Sequence, residues 1–396
     1  MSALLTADAI PLCVPEIRGH EWAYIKECLD TNFVSSVGPF VERFEREVAE
    51  RAGTEYGVGT VNGTAALHVA LLVAGVEPGD EVLVSDLTFI APVNAVRYAS
   101  GIPVLIDAEP RFWQMNPERV VDFLEHGCRW SNGELRNRIT GRRVRAVVPV
   151  HILGHPVDMN PILDVCRKYA LAVIEDATES LGAKYNGRPV GHLGDIACFS
   201  FNGNKIITTG GGGMIVCDNE AWARRARYLT TQAKDDPIEY VHHEIGYNYR
   251  LTNIQAAMGC AQLELLDEYL VAKRRIADTY RAAIGTLPGL VAMCEADWAT
   301  SAWWMSTILV NEDEYGMGSR ELLRQLKAHN IESRPLWQPA HLSPAQRGAV
   351  AGDCHVAEEL NRKGLSLPSS VSLTADQQQR VIEVIARAGP LGKKGR

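Results

Sequence analysis

The sequence has few aromatic residues, no surplus of positive charge and no long apolar run. Of its 396 residues only 7% are aromatic, and 40 Lys and Arg against 48 Asp and Glu leave a net charge of −8. A chain without a net basic surface is a poor partner for nucleic acid or anionic membranes. No segment approaches the ~20 apolar residues that cross a bilayer, and the first fifteen residues lack the basic start of a signal peptide. We therefore expect a cytoplasmic globular protein with no nucleic-acid or membrane partner.

The cysteines form no recognisable framework. Their number, nine, is odd, and no C-x-x-C pair occurs. Four of them stand inside apolar segments, where small buried thiols are common: Cys166, Cys198, Cys217 and Cys260. His20 and Glu21 open like a zinc-protease motif, but the second histidine is missing. The sequence thus predicts reduced core cysteines, no disulfides and no metal site.

Short apolar runs alternate with helix-length segments in the first half of the chain. Seven runs are strand candidates: 58–61, 81–86, 102–107, 146–151, 172–176, 196–201 and 214–217. Helices are predicted over 64–74, 90–99, 116–126 and 158–169. Most strands are apolar throughout, which is typical of strands covered on both faces of a mainly parallel sheet. The last two lie too close for a helical crossover, which indicates an antiparallel edge.

The length predicts two domains, because cores tend to split beyond ~250–300 residues. A helical pattern over 252–284 leaves the sheet region. We place an N-terminal segment with a large domain at 1–264 and a smaller α+β domain at 265–396. In the latter, 302–310 is a strand candidate and 319–330 a helix.

A polar, Arg-rich stretch at 125–145 interrupts the α/β pattern. Its Gly and Asn residues predict an inserted loop or hairpin. A solvated surface excursion is the commoner meaning of such a run, and contacts from its arginines to substrate phosphates are the alternative.

Three polar sites follow successive elements of the predicted sheet. Gly63, Thr64 and Ala65 begin a helix, whose free amides and dipole favour a phosphate. Asp176 ends the fifth strand at the edge where α/β proteins bind ligands, and a buried carboxylate there needs a cation. Each feature alone is weak evidence for a ligand site.

The sixth strand adds a hydroxyl and an amine, Ser200 and Lys205. Together these sites ask for one ligand with a phosphate, a protonatable ring nitrogen and an aldehyde, and pyridoxal 5′-phosphate has all three. Asp176 would pair with the ring nitrogen, Lys205 would form the Schiff base, and Thr64 with Ser200 would hold the phosphate.

Four motifs resemble the DegT-type nucleotide-sugar aminotransferase family. They are NGTAAL at 62–67, EDATES at 175–180, SFNGNK at 200–205 and GYNYRLTNIQAA at 246–257. The resemblance covers nearly the whole chain and implies the aspartate-aminotransferase fold (fold type I). This fold has a seven-stranded, mainly parallel sheet, a smaller α+β C-terminal domain and a homodimer whose active sites lie at the subunit interface.

The resemblance also implies roles for residues that spacing cannot assign. Phe89 would stack on the pyridine ring, and Asn248 would reach the phosphate of the neighbouring subunit. Lys205 would move protons, with L-glutamate as amino donor. Many relatives carry Gln where Glu179 stands, beside the phenolic oxygen of the cofactor. A carboxyl there must be protonated or turned towards substrate.

A finer resemblance points to the branch that makes 4-amino sugars for bacillosamine or legionaminic acid. Residues 33–38, the insertion at 125–145 and residues 230–236 carry it. The expected substrate is UDP- or GDP-linked 2-acetamido-2,6-dideoxy-4-keto-glucose, aminated at C4. Candidate substrate residues are Ser35, Ser36, Gly38, His151 and His341.

Three alternatives stay open. One is the same chemistry on another sugar position or nucleotide, as in GDP-perosamine synthesis. Another is a pyridoxal-dependent sugar dehydratase, in which histidine replaces the lysine, and Lys205 argues against it. The third is a non-catalytic regulatory protein with this fold, which the intact Lys205 and Asp176 disfavour. The sequence leaves UDP or GDP, the C4 stereochemistry and the C2 substituent undetermined.

Overall fold

The computed structural model describes residues 8–236 and 238–389; the outer ends of both predicted domains, 1–7 and 390–396, and Pro237 lie outside the described residues. The α-helices are α1 (Glu21–Asp30), α2 (Pro39–Ala52), α3 (Gly63–Val73), α4 (Ala91–Tyr98), α5 (Pro117–Asp122), α6 (Met159–Lys168), α7 (Glu220–Thr230), α8 (Asn253–Leu263), α9 (Leu266–Ile284), α10 (Glu312–Tyr315), α11 (Ser319–Ala328), α12 (His355–Lys363) and α13 (Ala375–Ala388). The strands are β1 (Tyr56–Thr60), β2 (Glu81–Ser85), β3 (Ile102–Ile106), β4 (Cys128–Ser131), β5 (Glu134–Asn137), β6 (Val144–Val148), β7 (Ala172–Asp176), β8 (Lys184–Tyr185), β9 (Arg188–Pro189), β10 (Ile196–Ser200), β11 (Gly213–Cys217), β12 (Leu290–Ala292), β13 (Ala299–Thr300), β14 (Ser306–Val310), β15 (Arg334–Pro335), β16 (Val350–Ala351) and β17 (Gly364–Leu367). Within the described ranges, no helix has the length and apolarity needed to cross a membrane.

The main sheet has eight strands in the order β1-β11-β10-β7-β6-β2-β3-β16. It contains all seven predicted strands, and the pairings from β10 to β16 are parallel. The eighth strand, β16, comes from the C-terminal part of the chain and pairs with β3. The expected antiparallel pairing of the last two strands is present, but its expected position at the edge of the sheet is wrong. Strand β11 is antiparallel to β10, but it lies inside the sheet because β1 pairs with its other side over five residues.

Helices cover the sheet close to the predicted positions. Helix α3 begins one residue early, because the Asn62 side chain accepts the Ala65 amide and caps its first turn. The predicted helix over 116–126 is α5 followed by a π-helical turn at Phe123–Gly127. The helical pattern over 252–284 is two helices, α8 and α9, which are separated at Glu264 and Leu265.

A second, antiparallel sheet follows in the C-terminal part, in the order β12-β14-β17-β15. Its strand β14 and the helix α11 fall inside the predicted ranges. The buried apolar residues form a large cluster around the main sheet and a smaller one around this sheet. Helix α9 contributes Tyr269 to the first and Tyr280 to the second. The domain boundary at 264/265 stays a prediction.

The Arg-rich insertion forms the predicted hairpin, β4-β5. Arg143 donates to both carboxylate oxygens of Asp80 at 2.8 and 2.6 Å, and Arg136 pairs with Glu134 at 2.6 Å. Asp80 immediately precedes β2, so these arginines bind at the amino end of the parallel strands. Ligands of such sheets bind at the carboxyl ends. The hairpin therefore offers no support for contacts to substrate phosphates.

At the carboxyl ends of β2 and β3, two buried aspartates hold the segment that carries β16. The Asp107 carboxylate accepts the amides of Val356 and Ala357 at 3.1 and 2.8 Å, at the start of α12. The Asp86 carboxylate accepts the His341 amide at 2.9 Å and contacts His341 Nδ1 at 2.7 Å. These bonds fasten the C-terminal segment to the edge of the main sheet.

His341 therefore joins the C-terminal segment to the main sheet. Burial alone would lower the pKa of His341, but the carboxylates of Asp86 and Glu358 raise it above its ordinary value. Asp86, His341 and Cys354 also bring a carboxylate, an imidazole and a thiol within 4.8 Å of one another. Within this cluster, Asp86 and His341 are joined directly by hydrogen bonds.

Candidate active site

A cavity of about 480 Å³ opens at the carboxyl ends of β7 and β10. Seven of the predicted site residues line it: Gly63, Thr64, Phe89, Asp176, Glu179, Ser200 and Lys205. Its volume is in the range of small-molecule sites. The structure thus brings together residues that are up to 142 positions apart in the sequence, from Gly63 to Lys205.

One end of the cavity is the start of helix α3. The amides of Gly63 and Thr64 belong to the first turn, which lacks acceptors within the helix. A Cβ atom on Gly63 would lie 2.9 Å from Ser200 Cβ and 3.1 Å from Thr178 Cγ2. Only glycine lets the helix start approach these hydroxyl residues so closely. The arrangement is a cradle of amides and hydroxyls suited to a phosphate.

Ala65 does not belong to this cradle, contrary to the sequence prediction. Its amide donates to the Asn62 side chain at 2.8 Å, and Ala65 does not line the cavity. The cap of the helix takes up this donor.

Asp176 is the last residue of β7 and is 2% exposed. Its Oδ1 accepts the Thr178 amide at 3.1 Å. Burial raises the pKa of Asp176, while the hydrogen bonds from Thr178 and the charge of Lys205 act in the opposite direction. The carboxylate therefore lies where a cationic group of a ligand would stabilise it.

The neighbouring Glu175 has the opposite electrostatic environment. Its carboxylate accepts the amides of Gly191 and Gly194 at 3.0 and 2.7 Å and contacts His151 Nε2 at 3.1 Å. Burial favours the neutral acid, but His151 and these amides hold the pKa of Glu175 below its ordinary value. Since His151 Nδ1 accepts the Val157 amide at 3.0 Å, its proton lies on Nε2.

Both predicted substrate histidines thus lie outside the cavity lining. His151 is fully buried against Glu175, and His341 is bound to Asp86. Their residue type suggested a ligand contact, but both are satisfied by neighbouring acidic side chains. Both histidines thus have structural roles, in contrast to the prediction that they line the sugar site.

Lys205 faces Glu179 across the cavity. Lys205 Nζ lies 3.4 Å from Glu179 Oε1, and the Leu153 amide donates to Oε2 at 2.8 Å. Burial raises the pKa of Glu179, and the positive charge of Lys205 opposes this effect. The Glu179 carboxyl group is thus directed at the amine of Lys205.

The sequence analysis missed the wall that the C-terminal part contributes. This wall includes Trp304, Met305, Arg334, Pro335, Leu336, Trp337 and Ser366. The Trp304 ring lies over Lys205 Nζ, with 4.2 Å between Nζ and the ring centroid. The paired tryptophans at 303 and 304 are the one local signal that could have drawn attention to it.

Besides Ala65 and the two histidines, four more predicted residues do not line the cavity of their own chain. Ser35, Ser36 and Asn248 are exposed, and Gly38 is partly buried. The Ser35 carbonyl accepts the Asn253 amide at 2.6 Å, and a Cβ on Gly38 would collide with the Asn253 side chain. Their roles towards substrate or a second subunit stay predictions.

The donor set fits pyridoxal 5′-phosphate. The cradle at Gly63 suits its phosphate, the buried Asp176 carboxylate suits a protonated ring nitrogen, and Lys205 offers the amine. Phe89 lines the same cavity and is 55% exposed, so it is available for stacking and is not core filling.

Comparisons with known proteins agree with this geometry. Residues 15–386 match the model of the DegT/DnrJ/EryC1/StrS aminotransferase family. EpsN of Bacillus subtilis, assigned as a pyridoxal phosphate-dependent aminotransferase, is 40% identical over 95% of both chains. A GDP-perosamine synthase of Caulobacter vibrioides is 39% identical over 95% of this chain and 97% of its own. The crystal structure of S. venezuelae DesV superimposes with a TM-score of 0.86 at 30% identity, covering 96% of this chain and 98% of its own.

The fold is that of the fold type I pyridoxal-phosphate aminotransferases, with a large, mainly parallel sheet and a small antiparallel C-terminal sheet. The cofactor is pyridoxal 5′-phosphate. The chain belongs to the DegT/DnrJ/EryC1/StrS aminotransferase family and is a pyridoxal 5′-phosphate-dependent sugar aminotransferase.

Proposed function

We propose that the protein transfers the amino group of L-glutamate to C4 of a nucleotide-linked 4-keto-6-deoxy sugar. The observation that carries this proposal is that Lys205, Asp176 and the start of helix α3 face one cavity. The perosamine synthase among its relatives supports a nucleotide-sugar substrate. Lys205 argues against a sugar dehydratase, and the intact Lys205 and Asp176 disfavour a non-catalytic regulatory protein.

The large domain holds the cofactor in this proposal. When bound, pyridoxal 5′-phosphate supplies an electron sink that lets an amino group pass between two substrates. The amides of Gly63 and Thr64, with the Ser200 hydroxyl, bind the phosphate. The Asp176 carboxylate holds the proton on the ring nitrogen, and Phe89 stacks on the ring.

Lys205 moves the protons of both half-reactions. With its amine released, Lys205 Nζ would carry the proton from the α-carbon of glutamate to C4′ of the cofactor. In the second half-reaction it would carry a proton from C4′ to C4 of the sugar. Glu179 lies 3.4 Å from this nitrogen and orients it.

For the sugar we propose UDP- or GDP-linked 2-acetamido-2,6-dideoxy-4-keto-glucose. Residues 33–38 and 230–236 support this choice by their resemblance to the bacillosamine and legionaminic-acid branch. The third segment of that resemblance, the hairpin at 125–145, lies at the other end of the sheet and no longer contributes. GDP-4-keto-6-deoxymannose is the second candidate, because a perosamine synthase is 39% identical over 95% of the chain.

The proposal includes a homodimer with shared active sites. Asn248 is exposed, does not line its own cavity and is held by a bridge to Thr231. Large apolar side chains are also exposed, among them Phe89 at 55%, Tyr98 at 55% and Ile245 at 83%. Burying such side chains against a second copy of the chain would be favourable. A second copy would cover these side chains, and Asn248 would reach the cofactor phosphate in the site of that copy.

Asp176→Asn should raise the melting temperature of the cofactor-free protein at pH 7 and yet lower kcat at least about 100-fold. Because burial raises the pKa of Asp176 in the folded state, this carboxyl group ionises at lower pH in the unfolded state. The stability of the wild-type protein therefore falls as the pH rises above the ordinary pKa near 3.8. The neutral amide escapes this loss. The difference in Tm should therefore shrink as pH falls towards 4, measured by calorimetry of apoprotein.

Glu175→Gln is the matched control on the same strand, with the opposite sign. The pKa of Glu175 is lowered, so its stabilisation is present above the ordinary value near 4.5 and is lost as pH falls. The Tm of this variant should be lower than that of the wild type at pH 7, and the difference in Tm should become smaller as the pH falls. A lower Tm for apo Asp176→Asn at pH 7, or its undiminished turnover, would contradict the role given to Asp176.

The substrate proposal predicts a preference in direct competition. Offered both the 2-acetamido sugar and GDP-4-keto-6-deoxymannose with glutamate, the enzyme should prefer the former by roughly 30- to 1000-fold in kcat/KM. A lost apolar contact and an unpaired polar group cost ~2–4 kcal/mol, which corresponds to this range. Mass spectrometry of the amino sugars reads the ratio. Preference for the mannose derivative would assign the enzyme to perosamine synthesis and leave the cofactor chemistry intact.

The shared-site proposal predicts complementation between two inactive variants. Lys205→Ala and Asn248→Asp chains, mixed and allowed to exchange subunits, should recover roughly a quarter of the wild-type activity, since half of the dimers are mixed and each has one intact site. Native mass spectrometry verifies the exchange. Failure to recover activity in verified mixed dimers would mean that each chain completes its own site.

A further inference from the structure

Trp304 makes two contacts with the loop that carries Lys205. Its ring lies 4.2 Å from Lys205 Nζ, measured to the ring centroid. Its indole Nε1 donates to the Asn204 carbonyl at 2.7 Å. One buried side chain, 5% exposed, therefore contacts both the reactive nitrogen and the backbone directly before it.

Trp304 is itself held from behind by a buried amine. Lys273 Nζ, on helix α9, donates to the Trp304 carbonyl at 3.0 Å and also to the Ser369 carbonyl. The thiol of Cys13 lies 3.7 Å from Lys273 Nζ and donates to the Asn204 carbonyl at 3.2 Å. The N-terminal segment, α9 and the C-terminal part thus converge on the backbone next to Lys205.

The lysine needs such support. A lysine side chain is a flexible four-carbon stem, and its freedom must be restricted for proton transfer at a defined carbon atom. The carboxyl contact with Glu179, at 3.4 Å, is longer than an ordinary hydrogen bond. The face of an indole ring attracts an ammonium group and restricts where it can lie.

The adjacent tryptophan shows that these contacts are specific to Trp304. Trp303 is also buried, but its ring is covered by Arg281, 5.6 Å from the ring centroid. Its indole nitrogen has no hydrogen-bond partner among the described residues. Replacing Trp303 therefore removes an indole of the same size without touching the Lys205 loop.

We propose that Trp304 is a positioning residue for Lys205. It fixes the Asn204 carbonyl through the indole N–H and places the lysine amine through the face of the ring. This inference rests on the proposed function, in which Lys205 moves the protons. The contribution belongs to proton transfer and not to donor binding, so its loss should lower kcat with little change in KM.

The test compares Trp304→Phe, Trp304→Leu and the control Trp303→Phe in the glutamate half-reaction, followed by stopped-flow absorbance. Trp304→Leu should slow the half-reaction by about 100-fold, as expected for a misplaced catalytic group, with KM for glutamate within about threefold of wild type. Trp304→Phe keeps a ring and should restore most of this loss, remaining about three- to tenfold below wild type. Trp303→Phe should match wild type.

A second measurement uses the apoprotein and does not depend on turnover. The rate at which apoprotein captures added pyridoxal 5′-phosphate reports the presentation of the lysine amine. It should fall about tenfold or more in Trp304→Leu and stay at the wild-type value in Trp303→Phe. If Trp304 had only a structural role, the variants at both tryptophan positions would have a lower Tm, but their half-reaction and capture rates would not differ from each other.

Equal half-reaction and capture rates in Trp304→Leu and wild type would overturn the proposal. If Trp304→Leu does not fold, Trp304→Phe decides: a loss of threefold or more supports the role, and wild-type rates contradict it. Lys205→Ala keeps the two claims distinct. If the wild-type enzyme carries out the glutamate half-reaction and the Lys205→Ala variant does not, the proposed function is supported, whatever the rates of the Trp304 variants are.

Discussion

The active site depends on an imbalance of buried charge. Asp176 and Glu179 are both buried near the amine of Lys205, and burial raises the pKa of each acid. Burying an ionised carboxyl group is unfavourable unless a cation or several donors compensate. Glu179 is directed at Lys205, which leaves Asp176 with the Thr178 donors. In the proposed function, the protonated ring nitrogen of the cofactor is the partner of Asp176, which would link cofactor binding to the stability of this strand end.

The rest of the fold holds that imbalance in place. Beneath the cavity, Glu175 is satisfied by His151 and backbone amides, so the strand can end in two adjacent acids with opposite environments. At the side, His341 and the Asp107 carboxylate clamp the C-terminal segment to the main sheet. That segment belongs to the part of the chain that supplies Trp304 and Trp337 to the cavity wall. The cavity is thus completed by contacts between distant parts of the chain.

What the sequence could predict was local. Asp176 ends an apolar strand, Lys205 lies in the loop after the neighbouring strand, and Gly63 opens a helix, so short motifs place them at one sheet edge. Trp304 could not be found this way, because it reaches Lys205 only through tertiary packing. The two-residue strand β16 is too short to show an apolar run, and the internal position of β11 depends on its long-range pairing with β1. His151 and His341 were selected by residue type alone, and their carboxylate partners are invisible in the sequence.

The central claim is that Lys205 is the amine that holds and serves the cofactor. Borohydride reduction of the loaded enzyme fixes the cofactor to whichever amine holds it, and peptide mass spectrometry then locates the label. The account predicts a single phosphopyridoxyl label on Lys205, in the peptide that contains 200–205. A label on another lysine, such as the buried Lys273, would contradict it.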